Sequence, residues 1–226
     1  MADRARATPR RCETARRSRS ARRRSRDRRT RCDRGGRLCM RLYRIFPYLR
    51  NAAADEPGGA LFRPPGGAGR ADSPTDRYRC LYTASAPEGA IAEAFGRFDR
   101  WDRQLIEMAP ATPTLPASRF AVVGFELVSA PIRNLDDARV LLEEGLRPSQ
   151  VVSRDLSVTQ AWSSRIHDRA GYAGVRWWSY YNPDWAVAAV WDIPRIDIAE
   201  PPRLLTVDDP SVVAAARAIV RSLVTA

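Results

Sequence analysis

Apolar and polar positions alternate along Leu42-Tyr43-Arg44-Ile45-Phe46, which predicts a strand whose period of two sets Arg44 on the same face as Leu42 and Phe46. A second short strand is predicted at Cys80-Leu81-Tyr82-Thr83. Ser85 with Glu88 three residues on forms a capping box after it, with Pro87 in the first turn, and opens a helix running to about Phe98. Ala90, Ile91, Ala94, Phe95 and Phe98 make one apolar stripe of this helix, while Gly89, Glu93 and Gly96 gather on the opposite side.

Between these segments the chain is rich in Gly and Pro, with Leu61-Phe62-Arg63 reading as a short strand between loops. Beyond the helix come a charged exit, FDRWDRQ, and a proline-spaced loop, PATPTLPAS. Phe120 to Val128 is strongly β-prone and predicts a central strand. Helices are predicted from Asp136 to Glu144, ended by Gly145, and from Ser153 to Ala170, ended by Gly171. The stretch GVRWWSYYNPDWAVAAVWD predicts two strands joined by a turn at Asn182-Pro183-Asp184, and Ser211 to Leu223 a terminal amphipathic helix docked on the sheet. There are no internal repeats.

Charge changes this picture at one end only. Residues 1–39 hold 16 arginines against Asp3, Glu13, Asp27 and Asp33, which accounts for the whole net charge of +12. Residues 40–226 carry 22 groups of each sign and are neutral. The basic tail lacks the apolar residues to form a core and is expected to be disordered in isolation. It has no apolar segment of the signal-peptide kind. Two readings of it stand: an arm that binds nucleic acid through phosphate contacts, or a stretch upstream of a natural start at Met40. The neutral charge of 40–226 argues against nucleic-acid binding as the main function.

Residues 40–226 are long enough for one domain with a substantial core. No apolar run approaches the roughly 20 residues of a membrane helix, so no membrane partner is expected. Of the four cysteines, Cys12, Cys32 and Cys39 lie in the tail without metal-site spacing and Cys80 stands alone in a strand. That usage fits a reducing cytoplasm and no structural metal. His167 is the one histidine, and no nucleophile and orienting partner are legible around it, which argues against a histidine-dependent triad.

Four features carry candidate chemistry, each with a plainer alternative. Two glycines inside a helix cost about 1 kcal/mol each relative to alanine, so the bare lane beside Glu93 points to something approaching closely. The alternative is a solvated face with Glu93 paired to Arg97. Arg44 among apolar neighbours either snorkels at a sheet edge or meets an anion in a cleft. The GGAGR element, Gly66 to Arg70, either lets backbone amides and Arg70 approach a phosphate or is only a turn. Ser179 lies among five aromatics between Trp177 and Trp185, which marks either a notch in the surface or ordinary core packing.

Taken together, LYRIF at 42–46, GAGR at 67–70, LYTASAPEGAIAEAF at 81–95 and GVRWWSYYN at 174–182 resemble the RES domain family, over essentially residues 40–226. The resemblance implies an α/β (α+β) fold with a split mixed β-sheet flanked by helices, similar to ADP-ribosyltransferase toxins, with NAD held in its cleft. It implies a toxin of a bacterial toxin–antitoxin pair that degrades NAD and is held inactive by a cognate DNA-binding antitoxin. The family's residues fall on Glu93, Arg44 and Ser179 as catalytic groups, and on Tyr43, Arg70 and Tyr82 as substrate-binding groups. One departure is local: many members carry an aromatic or polar pair after the loop arginine, where Ala71-Asp72 stand here.

The chemistry fits those residue types. Breaking the nicotinamide–ribose bond creates an oxocarbenium-like centre that a carboxylate such as Glu93 stabilises, and nicotinamide leaves without a general acid. Arg44 and Arg70 match a pyrophosphate bidentately. Tyr82 can stack on a ring, and Ser179 can hydrogen-bond the nicotinamide amide or ribose. No cofactor or metal is expected, with NAD as substrate and inorganic phosphate as co-substrate in a phosphorolysis that gives ADP-ribose 1″-phosphate. Hydrolysis, ADP-ribosyl transfer to a protein and self-association into a homo-oligomer remain open.

Overall fold

The computed structural model describes residues 30–31, 38–128, 131–191 and 196–225. Most of the arginine-rich tail, with Cys12 and Cys32, therefore lies outside the described residues. The exception is a two-residue strand, β1 (Thr30–Arg31), antiparallel to the start of β2 (Leu38–Tyr48).

The remaining strands are β3 (Leu81–Ala84), β4 (Arg100–Asp102), β5 (Arg119–Val128), β6 (Ile132–Asn134), β7 (Gly174–Trp178), β8 (Ala186–Val190), β9 (Ile196–Leu204) and β10 (Ser222–Val224). The helices are α1 (Pro87–Phe95), α2 (Ala138–Glu143), α3 (Pro148–Val151), α4 (Leu156–Asp168) and α5 (Pro210–Ala218), with a π-helical turn at Gln104–Met108. The main sheet runs β6-β7-β8-β3-β2-β5-β9, with β1 beside β2 and β6–β7 the parallel pair. β2 lies along β5 in continuous register from Cys39↔Val128 to Tyr48↔Arg119, whereas it meets β3 at the single pair Tyr43↔Ala84. That one-pair seam splits the sheet into two halves, in agreement with the split mixed architecture implied by the sequence.

Alternation along the strands sorts side chains to two faces. Leu42, Phe46, Leu81, Val123, Ala188 and Val190 pack in one cluster. On the other face, α1 and α5 cover the β2-β5-β9 half through Ile91, Phe95, Val122, Val212 and Ala215. α4 covers the β7-β8 half there, packing Trp162 and Ile166 against Val175, Trp177 and Ala189.

Several local expectations need correction. Ser85 does not cap α1, because its hydroxyl accepts from Ala186 N and its own N–H donates to Ala186 O, which extends the β3–β8 ladder by one residue. The helix starts after an extended Ala86 with Pro87 at its head, and it ends at Phe95 rather than Phe98. Leu61–Arg63 is not a strand: Leu61 N donates to Ala54 O inside the 49–62 loop, and Phe62 N to Gly59 O. The charged exit FDRWDRQ contains β4, whose Trp101 is fully buried and donates its indole N–H to Phe95 O and Phe98 O. The terminal helix stops at Ala218, and β10 then pairs in parallel with β4.

Candidate active site

Glu93 projects from the middle of α1. A Cβ added at Gly89 would lie 3.2 Å from Trp185 Cβ and 3.3 Å from Ala84 Cβ, and one at Gly96 would lie 2.5 Å from the Tyr181 ring. The bare lane beside Glu93 is thus occupied by the β7–β8 connection, which decides between the two readings of this face. Ser179, in that connection, donates from Oγ to Glu93 Oε1 at 2.5 Å. Arg97 is not the partner of Glu93; its guanidinium lies over the Phe98 ring.

Ser179 is 2% exposed and doubly held: its N–H donates to Trp185 O and its Oγ accepts from Tyr181 N. The hydroxyl proton is thereby directed at the carboxylate. Glu93 itself remains open to solvent although protein crowds its carboxyl group. Burial raises its pKa, opposed by the Ser179 hydrogen bond, the nearby Arg70 and the Tyr180 backbone.

Arg70 faces this pair from the Gly/Pro-rich loop. Burial lowers its pKa, and the charges of Glu93 and Tyr82 oppose that shift. Its Nη1 donates to Val151 O at 2.9 Å and to Ser153 O at 2.6 Å, which anchors the guanidinium to the start of the α4 layer.

The loop is built around Asp72. Asp72 Oδ2 accepts from Gly67 N at 3.0 Å and Gly69 N at 2.7 Å, and Oδ1 accepts from Tyr82 Oη at 2.8 Å. Tyr82 Oη in turn accepts from Ala71 N. Gln160 of α4 donates from Nε2 to both Gly67 O and Gly69 O, and Ser163 donates to Ala71 O. Gly69 has no room for a side chain, because a Cβ there would run into the Tyr82 hydroxyl. The Gly67 and Gly69 amides are consequently not free to approach a phosphate, since a carboxylate of the chain already takes them. Tyr82, expected to stack on substrate, spends its hydroxyl holding this loop, and burial strongly raises its pKa.

The structure brings together Glu93, Ser179, Arg70 and Tyr82, and leaves Arg44 and Tyr43 elsewhere. Arg44 points to the Leu42–Phe46 face, where its Nη1 donates to Ala60 O at 2.7 Å and its guanidinium lies 5.6 Å from the Phe46 ring. Burial pulls its pKa down to about 10, so the group is still charged near neutral pH, and among the described residues no carboxylate pairs with it. Tyr43 is on the α1 face but donates to Glu200 Oε1 at 3.1 Å, and Arg41 shares the same carboxylate oxygen. A cavity of about 340 Å³ lies there, lined by Tyr43, Pro87, Glu200 and Arg203 among others. Residues adjacent in a strand face opposite ways, so a contiguous Tyr-Arg pair cannot serve one site from one face.

Asp72 and Gln160 were not singled out from the sequence; the only signal was the Ala71-Asp72 pair after the loop arginine. Arg154 is a further addition at this site, donating from Nη2 to the exposed Tyr180 hydroxyl beside Ser179. Among the described residues no cluster of three or more His, Cys, Asp or Glu side chains could hold a metal ion. No helix among them is long and apolar enough to cross a membrane.

The architecture is a mixed α/β fold in which helices flank a large sheet that narrows to one residue pair between β2 and β3. The RES domain family model matches residues 41–211, and the chain belongs to that family. Its fold is similar to a chain in the crystal structure of the M. tuberculosis MbcT–MbcA toxin–antitoxin complex, with a TM-score of 0.53 and 15% sequence identity, over 81% of this chain and 91% of that one. No curated protein sequence matches the chain.

Proposed function

We propose that this protein cleaves the nicotinamide–ribose bond of NAD, with inorganic phosphate as the acceptor. The observation that carries the reading is the Glu93 carboxylate, held by the buried Ser179 hydroxyl and close enough to the Arg70 guanidinium to feel its charge. As the bond breaks, its electron pair leaves on the nicotinamide nitrogen and positive charge grows at the ribose. Glu93 stabilises that charge. Arg70 holds the pyrophosphate through guanidinium N–H groups other than those anchored to Val151 and Ser153. A phosphate oxygen then forms the new bond to the ribose carbon, the phosphate releases its proton, and the products are ADP-ribose 1″-phosphate and nicotinamide.

Arg44 and Tyr43 are given no step in this scheme, because their polar groups are engaged with Ala60 O and Glu200. The test is mass spectrometry of NAD incubated with the protein, with and without phosphate. Turnover that requires phosphate supports phosphorolysis, phosphate-independent release of ADP-ribose identifies a hydrolase, and label retained on a protein identifies a transferase. Glu93→Gln keeps the shape and an acceptor for Ser179 while removing the charge, and is expected to lower kcat by about 10²–10³-fold. Near-normal turnover by that variant overturns the assignment of Glu93.

The RES family membership and the likeness to a toxin–antitoxin complex support a toxin restrained by a protein partner. Expression of the chain alone is expected to arrest bacterial growth and deplete NAD, and co-expression with the neighbouring-gene product to relieve both. Normal growth with abundant folded protein and unchanged NAD counts against it.

A further inference from the structure

We propose that Asp72 is the positioning residue that fixes Arg70 opposite Glu93, and so sets the affinity for the anionic part of the substrate rather than the rate of bond breaking; this rests on the NAD reading above. Arg70 has no regular secondary structure to hold it. Its loop runs through Gly66, Gly67 and Gly69, and Gly67 lies at φ +116°. Such a segment has more freedom to lose on ordering than any other composition.

What orders it is a carboxylate 7% exposed in the middle of the turn. Asp72 gathers two amides from the N-terminal side of Arg70 with one oxygen, and with the other binds the hydroxyl of Tyr82 on β3. That hydroxyl closes the circuit by accepting from Ala71 N, on the C-terminal side of Arg70. Gln160 and Ser163 of α4 hold the outward carbonyls of Gly67, Gly69 and Ala71. Arg70 is therefore clamped on both sides in the chain, between the sheet and α4, with its guanidinium tied to Val151 O and Ser153 O.

Charge explains why the clamp is a carboxylate. An arm meant to meet a pyrophosphate must keep its own backbone amides from competing for that anion in the wrong place. Asp72 fills the amide hollow with a built-in anion, which leaves the Arg70 side chain as the group offered to a ligand. Tyr82 is then a strut between β3 and the loop.

The experiment uses the full chain and three variants, Asp72→Ala, Tyr82→Phe and Arg70→Ala, with the double variant Asp72→Ala/Arg70→Ala. Asp72→Ala is expected to raise KM for NAD about tenfold with kcat changed less than twofold, because lost hydrogen bonds to a charged group act on the placement of a binding residue. In the Arg70→Ala background the same change is expected to add nothing. Full additivity in this cycle, or a fall in kcat with KM unchanged, overturns the proposal. Tyr82→Phe removes the hydroxyl alone and is expected to move KM in the same direction, which keeps the test valid should Asp72→Ala fail to fold. Unchanged kinetics in Tyr82→Phe count against the proposal. Hydrogen exchange at the Gly67 and Gly69 amides separates the two readings. A wild type that leaves NAD intact sinks the NAD function, while fast exchange of both amides in the wild type sinks the clamp whatever the activity.

Discussion

Desolvation lifts the Glu93 carboxyl above the ordinary glutamate range, against the Ser179 hydroxyl, Arg70 and the Tyr180 backbone, which favour the ionised form. Folded Glu93 therefore binds a proton more tightly than it does in the unfolded chain. Between the unfolded and folded pKa values the native state carries more protons, so stability falls as pH rises through that window. Glu93→Gln removes the effect. The variant is expected to melt above wild type at pH 7, with the gap closing below the ordinary glutamate range, as calorimetry across that pH range would read. A variant that melts below wild type at pH 7 would mean that the Ser179 and Arg70 contacts outweigh burial. In the proposed reaction activity runs the other way, since there the ionised form is the one that stabilises positive charge. The acid limb of kcat/KM against pH is expected above the usual glutamate pKa of about 4.3.

The element that places Glu93 gains its specificity from what its glycines admit. Gly96 sits where α1 ends, and a Cβ there would strike both Ala92 O and the Tyr181 ring. Replacing a helical glycine by alanine ordinarily stabilises by about 0.5–1 kcal/mol. Overpacking typically costs about 1–3 kcal/mol, so Gly96→Ala is expected to be net destabilising. Because Tyr181 N holds Ser179 Oγ, the same change should lower the proposed NAD turnover. At Gly89 the nearest atoms, of Trp185 and Ala84, are 3.2–3.3 Å away, so a shift of a few tenths of an ångström between α1 and these two neighbours suffices and Gly89→Ala is expected to be near neutral. Urea denaturation of both variants would check the contrast; equal effects would mean that the β7–β8 connection yields as easily at Tyr181 as at Trp185.

The same helix shows how far the sequence reached. Its apolar stripe was legible because a period of 3.6 is a local property, and the glycine lane correctly signalled a close neighbour. The identity of that neighbour was not legible, since Ser179 lies 86 residues away and reaches Glu93 only through the sheet. Ser85 and Glu88 have capping-box spacing, yet the β8 ladder claimed the serine hydroxyl first. β9 went unread because IDIAEPPRL combines an exposed edge with two prolines and shows little of the alternation of a half-buried strand. β4 and β10 are three residues each, and their pairing in parallel is set by the path of α5 rather than by their own composition.

At the scale of the whole molecule the chain divides into a neutral body and a basic arm. The family match starts at Arg41 and the continuous β2–β5 ladder at Cys39, while the two-residue β1 adds only the pairs Thr30↔Cys39 and Arg31↔Leu38. Two pairs on an 11-residue strand already bonded to β5 contribute little to a domain of this size. A chain cut to residues 38–226 keeps all of β2 and is expected to melt within about 4 °C of the full chain, the shift that roughly 1 kcal/mol produces. It should also keep the proposed NAD turnover at the same rate, because Glu93, Ser179, Arg70 and Asp72 all lie within it. The arm's surplus of twelve positive charges predicts the complementary result in a DNA filter-binding assay. The full chain is expected to bind with an affinity that falls steeply between about 50 and 200 mM salt, and the 38–226 chain not to bind. Loss of folding or of NAD turnover on truncation would place residues 1–37 inside the functional unit, and DNA binding by the truncated chain would mean that the neutral body has a nucleic-acid surface of its own.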